Sequence, residues 1–115
     1  MRKLRASQDP LASKAIHVFT HRVVREAGAM IGCLEGLDVI GFSGGIGEHD
    51  YLLRESVCER LSWLGVMLDK SLNQRATHDV TSKISAENSS IEVWVVPTDE
   101  GLVTAHDAQA LLALH

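Results

Sequence analysis

Three glycines fall within four residues at positions 44, 45 and 47, one residue after the apolar run Val39–Phe42. Valine, isoleucine and phenylalanine favour a buried strand, and a helical pattern begins after the glycines. Glycine allows positive φ angles and lets a ligand approach the backbone without meeting a Cβ atom. The beginning of a helix adds free N–H groups and a positive dipole end. This order of strand, glycine turn and helix predicts an anion site, most often one for phosphate.

The residues after the glycines exclude two common nucleotide loops. The P-loop requires lysine followed by serine or threonine, whereas Gly47 is followed by Glu48 and His49. The dinucleotide fingerprint requires a third glycine where this chain has Asp50. A tight turn with no ligand stays open as the alternative, because glycines mark turns of every kind.

Length and composition indicate one globular domain with one core, since the chain has 115 residues, of which 45% are hydrophobic and 23% charged. No apolar run reaches the roughly 18 residues of a membrane span, and residues 1–30 lack a signal-peptide core. The two cysteines, Cys33 and Cys58, form no CxxC motif. We therefore expect a reduced cytoplasmic protein in which both thiols are buried.

Charge is distributed unevenly along the chain. Residues 1–34 carry six basic and two acidic side chains, and residues 35–115 carry five basic and thirteen acidic ones. The acidic remainder argues against the extended basic face of a nucleic-acid-binding protein.

Hydrophobic spacing predicts a first helix over Leu11–Leu34, because apolar residues recur there every three or four positions. A strand at Leu37–Phe42, a loop at 43–49 and a helix at Tyr51–Leu64 follow, and Gly65 ends that helix. The further predicted elements are a turn capped by Asp69, an irregular strand near Thr81–Ile84, a strand at Ile91–Val96 and a last helix from Thr98 or Asp99 to about Leu112.

The predicted order is α-β-α-(β)-β-α, which implies an α/β fold with a mostly parallel sheet and helices packed on it. The sheet is thin for three helices, and the first helix has no strand before it. We therefore interpret residues 1–115 as a single partial domain, the end of a larger one.

Four groups of residues together resemble the acetate/propionate kinase family. The resemblance covers essentially the whole chain and corresponds to the C-terminal quarter of such a kinase. The residues that carry it are Gly44-Gly45-Ile46-Gly47-Glu48, then Arg54-Glu55 with Cys58-Glu59-Arg60-Leu61, then Leu64-Gly65-Val66, and finally Val95-Val96-Pro97-Thr98-Asp99-Glu100.

The resemblance implies an actin-like ATPase (ribonuclease H-like) fold, of which this chain is the C-terminal portion of the nucleotide-binding domain. It implies a magnesium-dependent transfer of the ATP γ-phosphoryl group to acetate or propionate, giving acyl phosphate and ADP. Family members are typically homodimers that pair through their C-terminal domains. The choice between acetate and propionate stays open, because the acyl pocket belongs to other parts of the family's sequence.

The resemblance also implies roles for individual residues. The ATP-binding loop is Gly44, Gly45, Ile46, Gly47, Glu48 and His49, with histidine where the family usually has asparagine. Arg2 is similar to the arginine of an Asp-x-Arg element near the nucleotide, whose aspartate position falls just before Met1. Glu100 matches the family's magnesium-associated glutamate. No catalytic residue is assigned, and we expect the chain alone not to turn over acetate, because the residues that bind carboxylate and the transferring phosphoryl group lie elsewhere in the family.

A second reading of the same residues is a non-catalytic α/β module whose glycine loop holds another anion or nothing. Glu48 and Glu100 are then first-turn glutamates that complement helix dipoles. His17 and His21 share a helix face, but no third ligand lies at a nearby spacing, which favours a partly exposed surface over a zinc site. Trp63 and Trp94 are expected to be packing residues. The charged residues Arg54, Glu55, Glu59 and Arg60 are expected to form a solvated helix face.

Overall fold

The computed structural model describes residues 1–76 and 79–97, together with the backbone of residues 109–113. The helices are α1 (Arg2–Ala6), α2 (Pro10–Leu34), α3 (Gly44–His49), α4 (Tyr51–Arg60) and α5 (Lys70–Arg75), with a 3-10 turn at Ser62–Leu64. The strands are β1 (Val39–Ser43), β2 (Ser82–Lys83), β3 (Glu92–Val95) and β4 (Gln109–Ala113).

The four strands form one sheet in the order β2-β3-β1-β4, so β1 occupies a central position. It runs parallel to β3, where Phe42 pairs with Val95, and parallel to β4, where Val39 pairs with Gln109. Among the strands that the structure describes, only β2 is antiparallel. The predicted α/β class with a mostly parallel sheet is confirmed.

Helix α2 begins where the sequence indicates, because the Asp9 side chain accepts a hydrogen bond of 2.9 Å from the Leu11 amide and Pro10 occupies the first turn. Most of its apolar stripe is confirmed as well, since Val23 and Ala27 are buried and Phe19 packs against the core, but Leu34 at its end is exposed. The described residues contain no helix with both the length and the apolar character that a membrane crossing requires.

The core lies between the sheet and α4. Ile40 and Phe42 of β1 and Val93 and Val95 of β3 form a single buried cluster with α4 residues such as Leu53. After α4 and the 3-10 turn, Gly65 adopts a left-handed φ of +93°, as the predicted helix end requires. A Cβ atom at this position would lie 2.8 Å from Ser90 Oγ, which leaves no room for a side chain.

Three elements differ from the sequence prediction. The polar start of the chain forms α1, a stretch of good helix formers. The predicted loop at 43–49 contains the short helix α3. The end of the predicted last helix is instead strand β4, which pairs with β1. A short apolar run such as Ala110–Leu112 does not distinguish helix from strand by periodicity, and pairing along β1 decides it. Residues 98–108, the rest of that predicted helix, lie outside the described residues.

Burial of four side chains can be compared with the prediction. Cys58 is buried, which raises the pKa of its thiol to about 12, but Cys33 is exposed and its predicted burial is wrong. Trp63 is 73% exposed and is therefore not a packing residue within this chain. Trp94 is half-buried and points away from the buried Val93 and Val95, as the alternation of a strand predicts.

Candidate functional site

A cleft of about 610 Å³ lies between α1 and the segment Gly44–His49. This segment contains α3, joins β1 to α4 and is called the glycine turn below. The α1 side contributes basic residues, and the turn contributes one exposed glycine and its neighbours. The residues that line the cleft are Met1, Arg2, Lys3, Arg5, Gly45, Ile46, His49, Asp50, Tyr51 and Leu52.

Gly44 and Gly45 differ in burial and in backbone conformation. Gly44 is buried and has a left-handed φ of 80°, which glycine adopts more readily than other residues and which lets the chain turn directly from β1 into α3. Gly45 is exposed on the cleft, and a Cβ atom built on it would meet no heavy atom within 4 Å. The turn thus presents bare backbone to the cleft at Gly45.

His49 supports this backbone through its ring. Its Nδ1 atom lies 2.7 Å from the Gly45 carbonyl oxygen. Because a carbonyl oxygen only accepts, Nδ1 carries the proton and donates it to this bond. The His49 side chain therefore makes a contact within the turn and also lines the cleft.

A bidentate ion pair joins α1 to the start of α4. Arg5 Nε and Nη2 donate to the two carboxylate oxygens of Asp50 at 3.1 and 3.2 Å. The same carboxylate accepts a 3.0 Å bond from the Leu53 amide and so caps α4. This pair fixes the basic α1 side of the cleft relative to the glycine turn.

The electrostatic balance of the cleft is positive. Arg2, Lys3 and Arg5 place three basic side chains on its wall, and Asp50, the acidic residue on that wall, is bonded to Arg5. A cationic wall opposite exposed glycine backbone suits an anionic ligand.

Behind the turn lies Arg54, whose side chain is only 1% exposed. It donates to the carbonyl oxygens of Gly47 and Glu48 at 2.9 and 3.0 Å, and to the side-chain and backbone oxygens of Asn73 at 2.7 and 2.8 Å. Burial lowers the pKa of Arg54, while the nearby Asp50 carboxylate acts in the opposite direction. The guanidinium stays protonated, as arginine does in proteins.

The prediction that Arg54 belongs to a solvated helix face is therefore wrong. The sequence does indicate that Arg54 shares a helix face with apolar residues, since it precedes Val57, Cys58 and Leu61 by three, four and seven residues. Those three residues are buried, and the spacing places Arg54 on the same helix face. Carbonyl oxygens accept the hydrogen bonds of a buried guanidinium. The spacing of residues along the sequence does not show where those oxygens lie.

The predicted site residues divide into three groups in the structure. Arg2, Gly45, Ile46 and His49 line the same cleft. Gly44, Gly47 and Glu48 are buried in the turn behind it. Glu100 lies outside the described residues, and within the described ranges no three His, Cys, Asp or Glu side chains come together as a metal site.

The Asp50 contacts give a first prediction. Replacing Asp50 by alanine removes the helix cap and the ion pair, and we expect the free energy of unfolding to fall by about 2 kcal/mol. Asp50→Asn keeps an acceptor for the Leu53 amide and should cost about half as much. Urea denaturation measures both variants, with the exposed Glu87→Ala as control. Equal losses for Asp50→Asn and Asp50→Ala would show that the cap contributes nothing.

Comparison with known proteins identifies the family. The sequence model of the Acetokinase family matches residues 1–106. The acetate kinase of Rhodopseudomonas palustris (strain TIE-1) is 47% identical over 105 residues, which cover 91% of this chain and 26% of that protein. The acetate kinase of Nitrobacter hamburgensis is 42% identical over 112 residues, covering 97% of this chain and 27% of that protein.

Solved structures agree with the sequence matches. Acetate kinase from Entamoeba histolytica superimposes with a TM-score of 0.74 at 26% identity, covering 78% of this chain and 24% of that one. A propionate kinase from Francisella tularensis gives a TM-score of 0.69 at 31% identity, covering 86% of this chain and 25% of that one. These matches confirm the predicted actin-like ATPase fold.

The chain spans about a quarter of the length of the curated relatives it matches. Its sequence match and its fold agree with the resemblance found in the sequence. The chain belongs to the acetokinase family.

Proposed function

We propose that this chain is the C-terminal, ATP-binding part of a kinase that transfers the γ-phosphoryl group of ATP to acetate or propionate, giving acyl phosphate and ADP. One observation carries the proposal. Arg2 is more than forty residues from Gly45, Ile46 and His49 in the sequence, yet all four line one cleft. The resemblance to the family implies nucleotide binding for all four.

The described residues fit an anionic nucleotide. Gly45 leaves its side of the cleft open to close approach, because no side chain projects from it and no other group fills the space beside it. Arg2 and Lys3 would reduce the negative charge of the ligand from the opposite side. Phosphoryl transfer depends mainly on positioning and charge neutralisation, and this wall of the cleft would contribute to both.

Magnesium is part of the proposal through Glu100. Bound Mg²⁺ supplies positive charge to the phosphate oxygens, usually keeping several water ligands. Glu100 would orient the hydrated ion from the segment after β3. The support for this role is the resemblance of Val95–Glu100 to the family's strand and glutamate.

The rest of the proposal concerns the whole kinase. We propose a cytoplasmic homodimer that pairs through the domain to which this chain belongs. The chain alone is proposed to be inactive, because the carboxylate-binding and phosphoryl-stabilising residues of the family lie in other segments. Robust acetyl phosphate formation by the 115-residue chain, in an assay coupled to ADP release, would contradict that inactivity.

A nucleotide titration tests the proposed binding site. We expect ADP and ATP to shift the amide resonances of Gly44–His49 and of Arg2, because these residues line the cleft or lie in the turn behind it, while the β3 amides stay in place. Inorganic pyrophosphate serves as the control. Equal shifts with pyrophosphate and ADP would favour the non-catalytic anion-binding module, and no shift with any of the three would contradict a ligand site at the turn.

A further inference from the structure

The last carbonyl groups of α3 accept hydrogen bonds from residues that follow the helix. The last carbonyl groups of a helix have no partner within it. In α3 the Ile46 carbonyl accepts from the Asp50 amide at 2.9 Å. The next two carbonyls, those of Gly47 and Glu48, accept from one nitrogen of Arg54. Arg54 of α4 thus acts as a cationic C-terminal cap for the helix before it.

Asn73 of α5 holds Arg54 in turn. Its side-chain oxygen accepts from Arg54 Nε, its backbone oxygen accepts from Nη2, and its side-chain Nδ2 donates to the Tyr51 carbonyl at 2.9 Å. This pattern fixes the orientation of the amide, because arginine only donates and a carbonyl only accepts. Asn73 is fully buried. The three elements α3, α4 and α5 are therefore joined by one buried network.

The network and the cleft lie on opposite sides of the turn. Gly47 and Glu48, which accept from Arg54, are buried, whereas Gly45, Ile46 and His49 line the cleft. Arg54 and Asn73 are not among the residues that line it. A substitution of Arg54 would therefore affect the binding of a ligand in the cleft by displacing the backbone of the turn.

We propose that Arg54 and Asn73 are positioning residues that set the backbone geometry of the glycine turn and thereby its affinity for the nucleotide. The effect on nucleotide affinity rests on the function proposed above. The effect on the backbone geometry of the turn is independent of it, since the hydrogen bonds exist without a ligand.

Arginine is required here because of its shape. Its planar guanidinium reaches the α3 carbonyls with one nitrogen and Asn73 with the other two. A lysine ammonium is a single point with three donors and does not span both groups. Arg54→Lys therefore keeps the charge and removes the bridge between α3 and α5.

The experiment measures amide hydrogen exchange in the chain without nucleotide. For Arg54→Lys we expect the Asp50 amide, which closes α3, to exchange about tenfold faster than in the unsubstituted chain. The Val96 amide, bonded to Phe42 in the sheet, reports global unfolding and should change less. Arg60→Lys is the matched control, because it makes the same substitution on an exposed position of α4.

The second measurement is the ADP titration of the same variants. Arg54→Lys and Asn73→Ala should each weaken ADP binding about tenfold, since a displaced turn loses its fitted backbone contacts. Arg60→Lys should not. If Arg54→Lys does not fold, Asn73→Ala provides the same readouts, because it removes the bridging amide and keeps the arginine.

The outcomes separate the two proposals. If the unsubstituted chain binds no ADP, the nucleotide function fails, and faster exchange at Asp50 still supports the positioning of the turn. If ADP binds normally to both variants and exchange at Asp50 matches the Arg60→Lys control, the positioning role is overturned. Equal acceleration at Asp50 and Val96 would also overturn it, since the residues would then contribute only to overall stability.

Discussion

Replacing Phe42 by alanine is expected to lower the free energy of unfolding by about 3–5 kcal/mol. Phe42 is 0% exposed and lies on β1, the strand that pairs with both β3 and β4. Removing its ring leaves a cavity between the sheet and α4, beside Val95 and Leu53. A domain of this size has a total stability of about 5–15 kcal/mol, so this loss is a large fraction of the total.

Urea denaturation measures this effect as a lower midpoint with an unchanged slope. Trp63→Ala is the control, because it also removes an aromatic ring but from a side chain that is 73% exposed. We expect its effect to stay within about 0.5 kcal/mol. A comparable loss for both variants would show that Trp63 is covered in solution, for example by a second copy of the chain.

Gly45→Val is expected to weaken ADP binding about tenfold to a hundredfold, because the added side chain occupies the space that the ligand would approach. The position tolerates the change structurally, since a Cβ atom at Gly45 meets no heavy atom within 4 Å. Gly45 also lies within α3, where valine is no worse a helix former than glycine. Affinity should therefore fall while the urea midpoint stays nearly unchanged.

Gly28→Val provides the matched control for this substitution. Gly28 lies in α2, is exposed, and has the same open space around its Cβ position, but it is not among the residues that line the cleft. Titration with ADP should give the same affinity for Gly28→Val as for the unsubstituted chain. Unchanged ADP affinity in Gly45→Val would remove the glycine turn from the nucleotide site.

The elements predicted correctly are those that local chemistry determines. Helix α2 has a long apolar stripe and an aspartate-proline start, and α4 leads through a short turn to a glycine in the left-handed region. Strands β1 and β3 are rich in β-branched and aromatic residues. Each of these signals lies within about one or two turns of the element it specifies, so the sequence alone reveals it.

The features that were missed depend on contacts between distant residues. Helix α1 is tied to Asp50, 45 residues from Arg5 in the sequence. The strand conformation of β4 depends on its backbone pairing with β1. Arg54 is buried because carbonyl groups of α3 and α5 surround its guanidinium. For the site, the glycine turn was visible in the sequence, whereas the network that supports it was not.

The central place of β1 also affects how the protein is made. Val39 must pair with Glu92 on one side and with Gln109 on the other, and both partners are translated long after it. A nascent chain that ends before β3 exposes the apolar β1 with both edges open. Contacts of such long sequence separation slow folding and prolong the time during which a strand can join a wrong partner. We therefore expect the ribosome-bound intermediate to depend on chaperones more than the finished domain does.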